Sequence, residues 1–233
     1  MNINRYLFFV LFLCFSQALQ SQVILSMIFG DKLNSEDIEF GLEGGINYAS
    51  ISGFESDSRI SPFNLGFYFD IRLKNQWNLY TGVLVKAKLG SNELSPGDLN
   101  ALGIAPQAEE GTYSQQIRYF LVPALIKYNF PNRIYLETGP QFGLKYQAWV
   151  EFESETSESS IRIRDFNRDA LNTIEAGWVV GTGYRLSPKS SMTLGIKYYR
   201  GITQVYKDLP GVNDAIFFKF NIPIGAVKNQ EKE

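Results

Sequence analysis

The sequence predicts an all-β protein, an eight-stranded antiparallel up-and-down transmembrane β-barrel, from three observations. Apolar and polar side chains alternate in eight segments, with the period of two that is typical of a β-strand. The connections between these segments are alternately short and long. Glycines and charged residues share one phase of the alternation, whereas the other phase is almost entirely apolar. A closed barrel with its apolar phase facing lipid accounts for all three observations.

The alternation is clearest in Arg133–Trp149, the predicted fifth strand. Its apolar phase consists of Ile134, Leu136, Thr138, Pro140, Phe142, Leu144 and Tyr146. Gly139 and Gly143 lie on the other phase, beside Glu137 and Lys145. Glycine weakens a strand and often marks the close approach of another group. We therefore interpret the polar phase as the lumen of a narrow barrel and the apolar phase as its lipid-facing surface.

The first three strands are predicted at Glu39–Ala49, Pro62–Leu73 and Trp77–Lys88. Each has bulky apolar residues in one phase: Phe40, Leu42, Ile46 and Tyr48, then Phe63, Leu65, Phe67, Phe69 and Ile71, then Trp77, Leu79, Val83 and Val85. A polar loop over 50–61 separates the first two strands, and a tight turn at 74–76 separates the second from the third. A long loop over 89–114, rich in Gly, Pro, Asn and Glu, follows the third strand.

The fourth strand, Gln115–Tyr128, places Phe120, Val122, Ala124 and Ile126 toward lipid. Its opposite phase is unusually apolar, with Leu121 and Leu125. A turn at 129–132 leads into the fifth strand. The loop that follows the fifth strand covers 151–170 and is first acidic and then arginine-rich.

The last three strands are predicted at Leu171–Arg185, Met192–Arg200 and Ala215–Gly225. Their apolar phases hold Ile174, Trp178, Val180 and Tyr184, then Met192, Leu194, Ile196 and Tyr198, then Ile216, Phe218, Phe220, Ile222 and Ile224. A short turn near 187–190 and a loop over 201–214 connect them. The resulting order of tight turns and long loops is the one expected for periplasmic turns and external loops.

Lys88 falls on the predicted lumen phase, and so do the ten charged residues of a predicted network. They are Glu43, Asp70, Arg72, Lys86, Glu137, Lys145, Glu175, Arg185, Lys197 and Lys219. The interior of an eight-stranded barrel is only wide enough for side chains to fill it. We therefore expect these residues to form a structural charge network, so that the lumen is closed or narrow. Aromatic residues near the strand ends, such as Tyr48, Trp77 and Tyr184, are expected to form interfacial belts.

The N-terminus predicts export. Residues 1–21 have a basic residue, Arg5, a short apolar core and small residues at two candidate cleavage sites, after Ala18 or after Ser21, which is typical of a Sec signal peptide. Cys14, the only cysteine, lies within this segment, so the mature chain would have no thiol chemistry. We expect residues 22–38 to be a periplasmic segment, 39–226 the barrel and 227–233 a charged tail.

Composition excludes several classes of function. The formal charge of −2 gives no basic surface for nucleic acid. The 233 residues contain no histidine, which excludes Ser-His-Asp catalysis and histidine zinc sites. Glu43 and Glu137 share a phase, but we expect each to pair with a lysine or arginine rather than to act in catalysis. No cofactor or metal site is predicted, and we expect the protein not to be an enzyme.

The 151–170 loop has two features that could bind a ligand, and for each of them a structural explanation is favoured. Its four glutamates could bind calcium, but a solvated acidic loop is favoured; these are Glu151, Glu153, Glu155 and Glu158. Arg162, Arg164 and Arg168 could bind lipopolysaccharide phosphates, but a salt-bridged loop is favoured.

Four short segments resemble a known family. They are Phe40–Gly45, Arg118–Pro123, Glu137–Gly143 and Tyr198–Thr203. In order and spacing they are similar to the PorT-like, porin-family outer-membrane β-barrel proteins of Bacteroidota, over nearly all of the mature chain. The resemblance implies a multi-pass barrel in the outer membrane. A founding member of that group is associated with type IX secretion, an activity that we do not transfer to this chain.

We therefore expect a monomeric barrel of the cell envelope with a structural or interaction role. Its partners would be outer-membrane lipid and either lipopolysaccharide or an envelope protein, bound through the loops at 89–114 and 151–170. One alternative is an accessory barrel of a type IX secretion or envelope machine. Another is a soluble, secreted lipocalin-like barrel, whose apolar face would point inward to a ligand. A third alternative is a narrow channel.

Overall fold

The computed structural model describes residues 35, 37–155, 160–187 and 190–224. The strands in this part of the chain are β1 (Ile38–Ile51), β2 (Phe63–Lys74), β3 (Trp77–Ser91), β4 (Thr112–Asn129), β5 (Ile134–Glu155), β6 (Ser160–Asp165), β7 (Ile174–Ser187), β8 (Ser190–Gly201) and β9 (Asn213–Pro223). A short helix, α1 (Pro96–Leu102), and a 3-10 turn (Arg168–Ala170) complete it. The predicted signal peptide (1–21) and tail (227–233), and nearly all of the predicted periplasmic segment (22–38), lie outside the described residues.

Eight of these strands form a closed antiparallel barrel. Each strand pairs with the next one along the chain, with β5 followed by β7, and the ring closes where β9 pairs with β1. The predicted fold is therefore confirmed, including the up-and-down order of the strands. The remaining strand, β6, lies outside the ring and pairs with the end of β5.

The two phases of each strand face opposite sides of the barrel wall, as β5 illustrates. Leu136, Phe142 and Leu144 point outward and are about half exposed, at 50%, 49% and 51%. Glu137 and Gln141 point inward and are buried. An apolar exterior around a polar interior suits a barrel immersed in lipid. It is the opposite of the arrangement that the soluble, lipocalin-like alternative requires.

The two ends of the barrel differ. One end has the turn at Lys74–Trp77 and the turn that joins β4 to β5. The first residue of β1 and the last residue of β9 lie at the same end. At this end Trp77 packs against Tyr128, with ring centroids 4.8 Å apart. The other end carries the long connections. We call these the short-turn end and the loop end.

Trp178 is the exception to the aromatic belts, since it lies in the middle of β7 on the outer face. Its indole N–H donates to the hydroxyl of Thr138 at 2.9 Å. A buried or lipid-facing tryptophan needs such a partner for its N–H group. The strand wall itself therefore satisfies this side chain.

The long connections are more ordered than predicted. The 89–114 segment contains α1, whose first turn is stabilised by a capping box between Ser95 and Asp98 and which ends at Gly103 in the left-handed conformation. The prediction that 151–170 is a loop was wrong, because β5 continues to Glu155 and β6 returns along it as a hairpin. None of the helices in the described ranges is long and apolar enough to cross a membrane.

Two neighbouring glycines of β1 offer a test of the inside-outside assignment. Gly45 faces the lumen, and a Cβ atom there would collide with the backbone carbonyl oxygen of Phe218. Gly44 faces outward, and the nearest atom to a Cβ there would be 3.9 Å away. We expect Gly45→Ala to destabilise the barrel by about 1–3 kcal/mol, the usual cost of overpacking, and Gly44→Ala to leave it unchanged.

The measurement is the temperature at which the folded band disappears when samples are heated in steps before electrophoresis. Equal effects of Gly44→Ala and Gly45→Ala would contradict the assignment of the two faces.

Candidate functional site

Three buried ion pairs cross the interior of the barrel. Lys197 of β8 lies 3.0 Å from Glu43 of β1, Lys219 of β9 lies 2.6 Å from Glu137 of β5, and Lys127 of β4 lies 2.5 Å from Asp70 of β2. Each distance joins the lysine Nζ to a carboxylate oxygen. The strands of each pair are not neighbours in the ring. The side chains therefore reach through the interior past one or two intervening strands.

Tyrosine side chains fill the space around these pairs. The hydroxyl of Tyr80 donates to Glu43 at 2.5 Å and accepts a hydrogen bond from Asn221 at 2.9 Å. The Lys219 ammonium lies 4.0 Å from the centre of the Tyr80 ring, and Lys127 lies 4.4 Å from that of Tyr135. Cation–π contacts of this kind strengthen when water is excluded.

The burial of these charged groups shows that the lumen is filled at their level. The exposed fraction of Lys197 is 0%, and those of Glu43 and Lys219 are 3%. A buried charge is tolerated only when it is paired and hydrogen-bonded. At the level of the three pairs, the interior thus consists of packed side chains whose charges are paired.

Other predicted network residues are buried but do not join the three pairs. The Lys145 ammonium donates to the backbone carbonyls of Arg168 and Leu171, at 2.5 and 2.7 Å, and so anchors the connection between β6 and β7. Glu175 accepts a hydrogen bond from the Tyr199 hydroxyl at 2.8 Å and forms no ion pair with any described residue.

Three predicted network residues lie outside the closed part of the lumen. Lys86 is exposed on the outer wall, over the ring of Phe63, because a bulge between Leu84 and Ala87 shifts the phase of β3. Arg72 has the expected phase but is exposed, since it lies in the last residues of β2 at the rim. Arg185 is only partly buried, near the end of β7.

Lys127 is a network residue that the sequence analysis missed. It has the inward phase of β4, two residues beyond Leu125. The signal was present, because a lysine on the same phase as buried leucines in a closed barrel needs an acidic partner inside. The apolar residues on that phase concealed it.

The connections at the loop end pack over the barrel mouth. Tyr206, from the segment between β8 and β9, packs against Phe54 with ring centroids 5.8 Å apart. Its hydroxyl donates to Gln115 at 2.8 Å. Burial, with the nearby Asp98 carboxylate, raises the pKa of Tyr206 well above its ordinary value, so the hydroxyl keeps its proton.

Asp98 of α1 ties the first two long connections together. Its carboxylate accepts hydrogen bonds from the backbone N–H groups of Glu55, at 2.8 Å, and Ser56, at 3.3 Å. Asp98 is itself buried. We refer to the packed segments 52–62, 92–111 and 202–212 as the loop cap.

The arginines and glutamates of the β5–β6 hairpin pair with one another. Arg164 donates to Glu151 at 2.5 Å, and Arg162 forms an ion pair with Glu153. A salt-bridged arrangement is what the sequence favours over a phosphate site. The solvated acidic loop favoured over a calcium site is not what Glu151 and Glu153 form, because both are ion-paired. The side chain of Arg168 is exposed, and Glu158 lies outside the described residues.

Removal of one member of a central pair should be costly. We expect Lys219→Met to lower the free energy of unfolding by about 3–5 kcal/mol, because Glu137 is then left as an uncompensated buried charge. The double variant Lys219→Met/Glu137→Leu should recover most of the loss. Urea titration of the barrel in phospholipid vesicles, followed by tryptophan fluorescence, measures both. Lys74→Met, at an exposed site, is the matched control, and an equal loss there would contradict the account.

Comparison with known proteins supports the same fold. The family model described as outer membrane protein beta-barrel domain matches residues 15–207 of the chain. No curated protein matches it in sequence.

Three solved structures are similar to the chain. Ail, the attachment invasion locus protein of Yersinia pestis, has 12% identity and a TM-score of 0.44, with 80% of this chain and 99% of Ail covered. Neisserial surface protein A has 12% identity and a TM-score of 0.43, with 80% and 99% covered. OprG from Pseudomonas aeruginosa has 10% identity and a TM-score of 0.37, with 82% and 97% covered.

The family match spans most of the sequence and includes eight of the nine described strands. The chain belongs to the outer membrane protein beta-barrel domain family.

Proposed function

We propose that this outer-membrane barrel has a closed lumen and works as an interaction protein, with its loop end offered to a protein partner. The observation that carries the proposal is the unpaired edge of β6. Among the described strands, β6 pairs only with β5, so no described strand covers its other edge. An exposed edge of this kind is a template for the addition of a strand from another protein.

Exposed apolar side chains lie beside that edge. Ile161 is 38% exposed, Ile163 is 40% exposed and Phe166 is 61% exposed. Strand addition draws its affinity from backbone hydrogen bonds and its specificity from side chains at alternate positions. The spacing of Ile161 and Ile163 meets that requirement, which supports an extended apolar segment as the partner's contribution.

The packed interior supports an interaction role over transport or catalysis. The lysine–carboxylate pairs occupy the lumen, so solute would have to displace them. Glu43 and Glu137, the two carboxylates considered for catalysis, each neutralise a lysine. We therefore also propose that the barrel is neither an enzyme nor an open pore.

The finer placement of the chain is part of the proposal. We place it near the PorT-like barrels of Bacteroidota, on the strength of the four segments that resemble them. A role as an accessory barrel of a secretion or envelope machine would then depend on the identity of the β6 partner.

A photo-crosslinking residue at Ile163 should capture a specific protein on intact cells, because this position lies on the free edge. The same residue at Leu136, in the lipid-facing belt, should capture none. Mass spectrometry of the adducts identifies the partner. An identical set of adducts at both positions, or none at Ile163, would count against the proposal.

Planar bilayer recordings test the closed lumen separately. We expect the purified barrel to add no ion conductance, since the three buried ion pairs lie in the lumen. Stable conductance steps that scale with the amount of folded barrel would instead favour the narrow channel.

A further inference from the structure

A compact group of cations lies on the outer wall of the barrel near the loop end. The group consists of three cations around the indole ring of Trp149. The Lys88 ammonium lies 5.6 Å from the ring centre, and the guanidinium carbons of Arg118 and Arg164 lie at 5.0 and 5.1 Å. They come from β3, β4 and β6, on either side of β5. We call these four residues the Trp149 cluster.

The cluster lies just beyond the lipid-facing surface. Arg118 shares the outward phase of β4 with Phe120, whose ring stacks on Tyr146 of β5 at 4.7 Å. At the usual rise of a strand, two residues place Arg118 roughly 7 Å above Phe120. Tyrosine is enriched at the interface of a bilayer, and with Tyr146 there the lipid headgroups would be level with the cluster.

A bulge explains why Trp149 faces outward. The pairing of β4 with β5 shifts between Tyr119, opposite Lys145, and Arg118, opposite Gln147. Strict alternation from Lys145 would turn Trp149 into the lumen. The extra residue turns it to the outer wall, where the three cations cover it and leave it 1% exposed.

The positive charges of the cluster are not balanced. The neighbouring carboxylate of Glu151 bonds to Arg164 at 2.5 Å and to the Trp149 indole N–H at 3.1 Å. Among the described residues, Lys88 and Arg118 form no ion pair.

Neutral amides are the hydrogen-bond partners of these two cations. The Lys88 ammonium donates to the side-chain oxygen of Gln116 at 2.6 Å, and Arg118 donates to that of Gln147 at 3.0 Å. The register also places Lys88 and Arg118 directly opposite each other. Like charges in a cross-strand pair are destabilising, and an anion bound between them would remove that cost.

We propose that the Trp149 cluster binds the phosphate of an outer-leaflet lipid with a phosphorylated sugar headgroup. Guanidinium groups match phosphate oxygens in a two-pronged geometry, and a lysine adds a compact charge. A lipid is favoured over a soluble anion because the site continues directly from the lipid-facing aromatic pair. The inference shares with the proposed function the outward orientation of the loop end and one residue, Arg164, which lies on β6.

Of the three arginines considered as phosphate ligands from the sequence, only Arg164 belongs to this site. Arg162 pairs with Glu153, and Arg168 lies on the turn after β6. The residues that carry the inference, Lys88 and Arg118, lie on barrel strands instead.

The test compares three forms of lipid A added to the folded barrel in detergent micelles: bis-phosphorylated, mono-phosphorylated and dephosphorylated. We expect the bis-phosphorylated form to bind most tightly in native mass spectrometry. The variant Lys88→Gln/Arg118→Gln should lose roughly tenfold or more of that affinity, because charge-assisted hydrogen bonds to phosphate are removed. Arg72→Gln/Lys74→Gln, two exposed cations at the short-turn end, should retain it.

Several results would overturn the inference. Equal binding of the dephosphorylated form to the wild-type barrel would do so without any variant, so a folding defect cannot hide it. An equal loss in the Arg72→Gln/Lys74→Gln control would reduce the effect to net charge. Inorganic phosphate that competes fully at comparable concentration would assign the site to a soluble anion. A lipid preference without an Ile163 adduct would leave this inference standing and the proposed function refuted.

Discussion

Charges enclosed in a narrow barrel have to be neutralised inside it. The ion pairs that do so connect strands between which there are no backbone hydrogen bonds. Backbone hydrogen bonds join each strand only to its neighbours in the ring. The Glu43–Lys197, Asp70–Lys127 and Glu137–Lys219 pairs join strands that are separated by at least one other. Breaking such a pair would leave a bare charge in a dry interior. The pairs therefore tie together strands that are not neighbours and fill the lumen at their level.

The same crowding explains the glycines on the lumen phase. The ring of Tyr68 lies against Gly41, and the ring of Tyr199 lies against Gly177, so a side chain at either glycine would collide with a tyrosine. Glycine in a strand otherwise weakens it. Here the missing side chain of glycine makes room for a tyrosine ring to lie flat against the strand. The centre of the barrel is then left for the long lysine side chains. Small and large residues thus share a cross-section too narrow for two large ones.

Most of the barrel could be predicted from the sequence because a hydrophobicity pattern with a period of two indicates both where a strand lies and which of its side chains face outward. The inward or outward direction of a side chain was predicted wrongly beyond a β-bulge, where one strand gains an extra residue. No residue pattern in the sequence indicates such a bulge. The shift beyond Leu84 put Lys86 on the outer wall, and the shift near Lys145 turned Trp149 outward. The β5–β6 hairpin was missed for another reason. Its alternation of Ile161 and Ile163 with arginines is a strand pattern, but its acidic and basic residues resemble a solvated loop.

The two proposed sites at the loop end meet in the side chain of Arg164. It lies on β6, whose free edge is the proposed docking site, and its guanidinium bonds to Glu151 and covers Trp149 on the outer wall. A lipid phosphate at the Trp149 cluster would attract Arg164 and so hold β6 against β5. Ordering of the hairpin before a partner arrives lowers the entropic cost of strand addition. Because such coupling is reciprocal, a bound partner would in turn strengthen the hold of the barrel on the lipid.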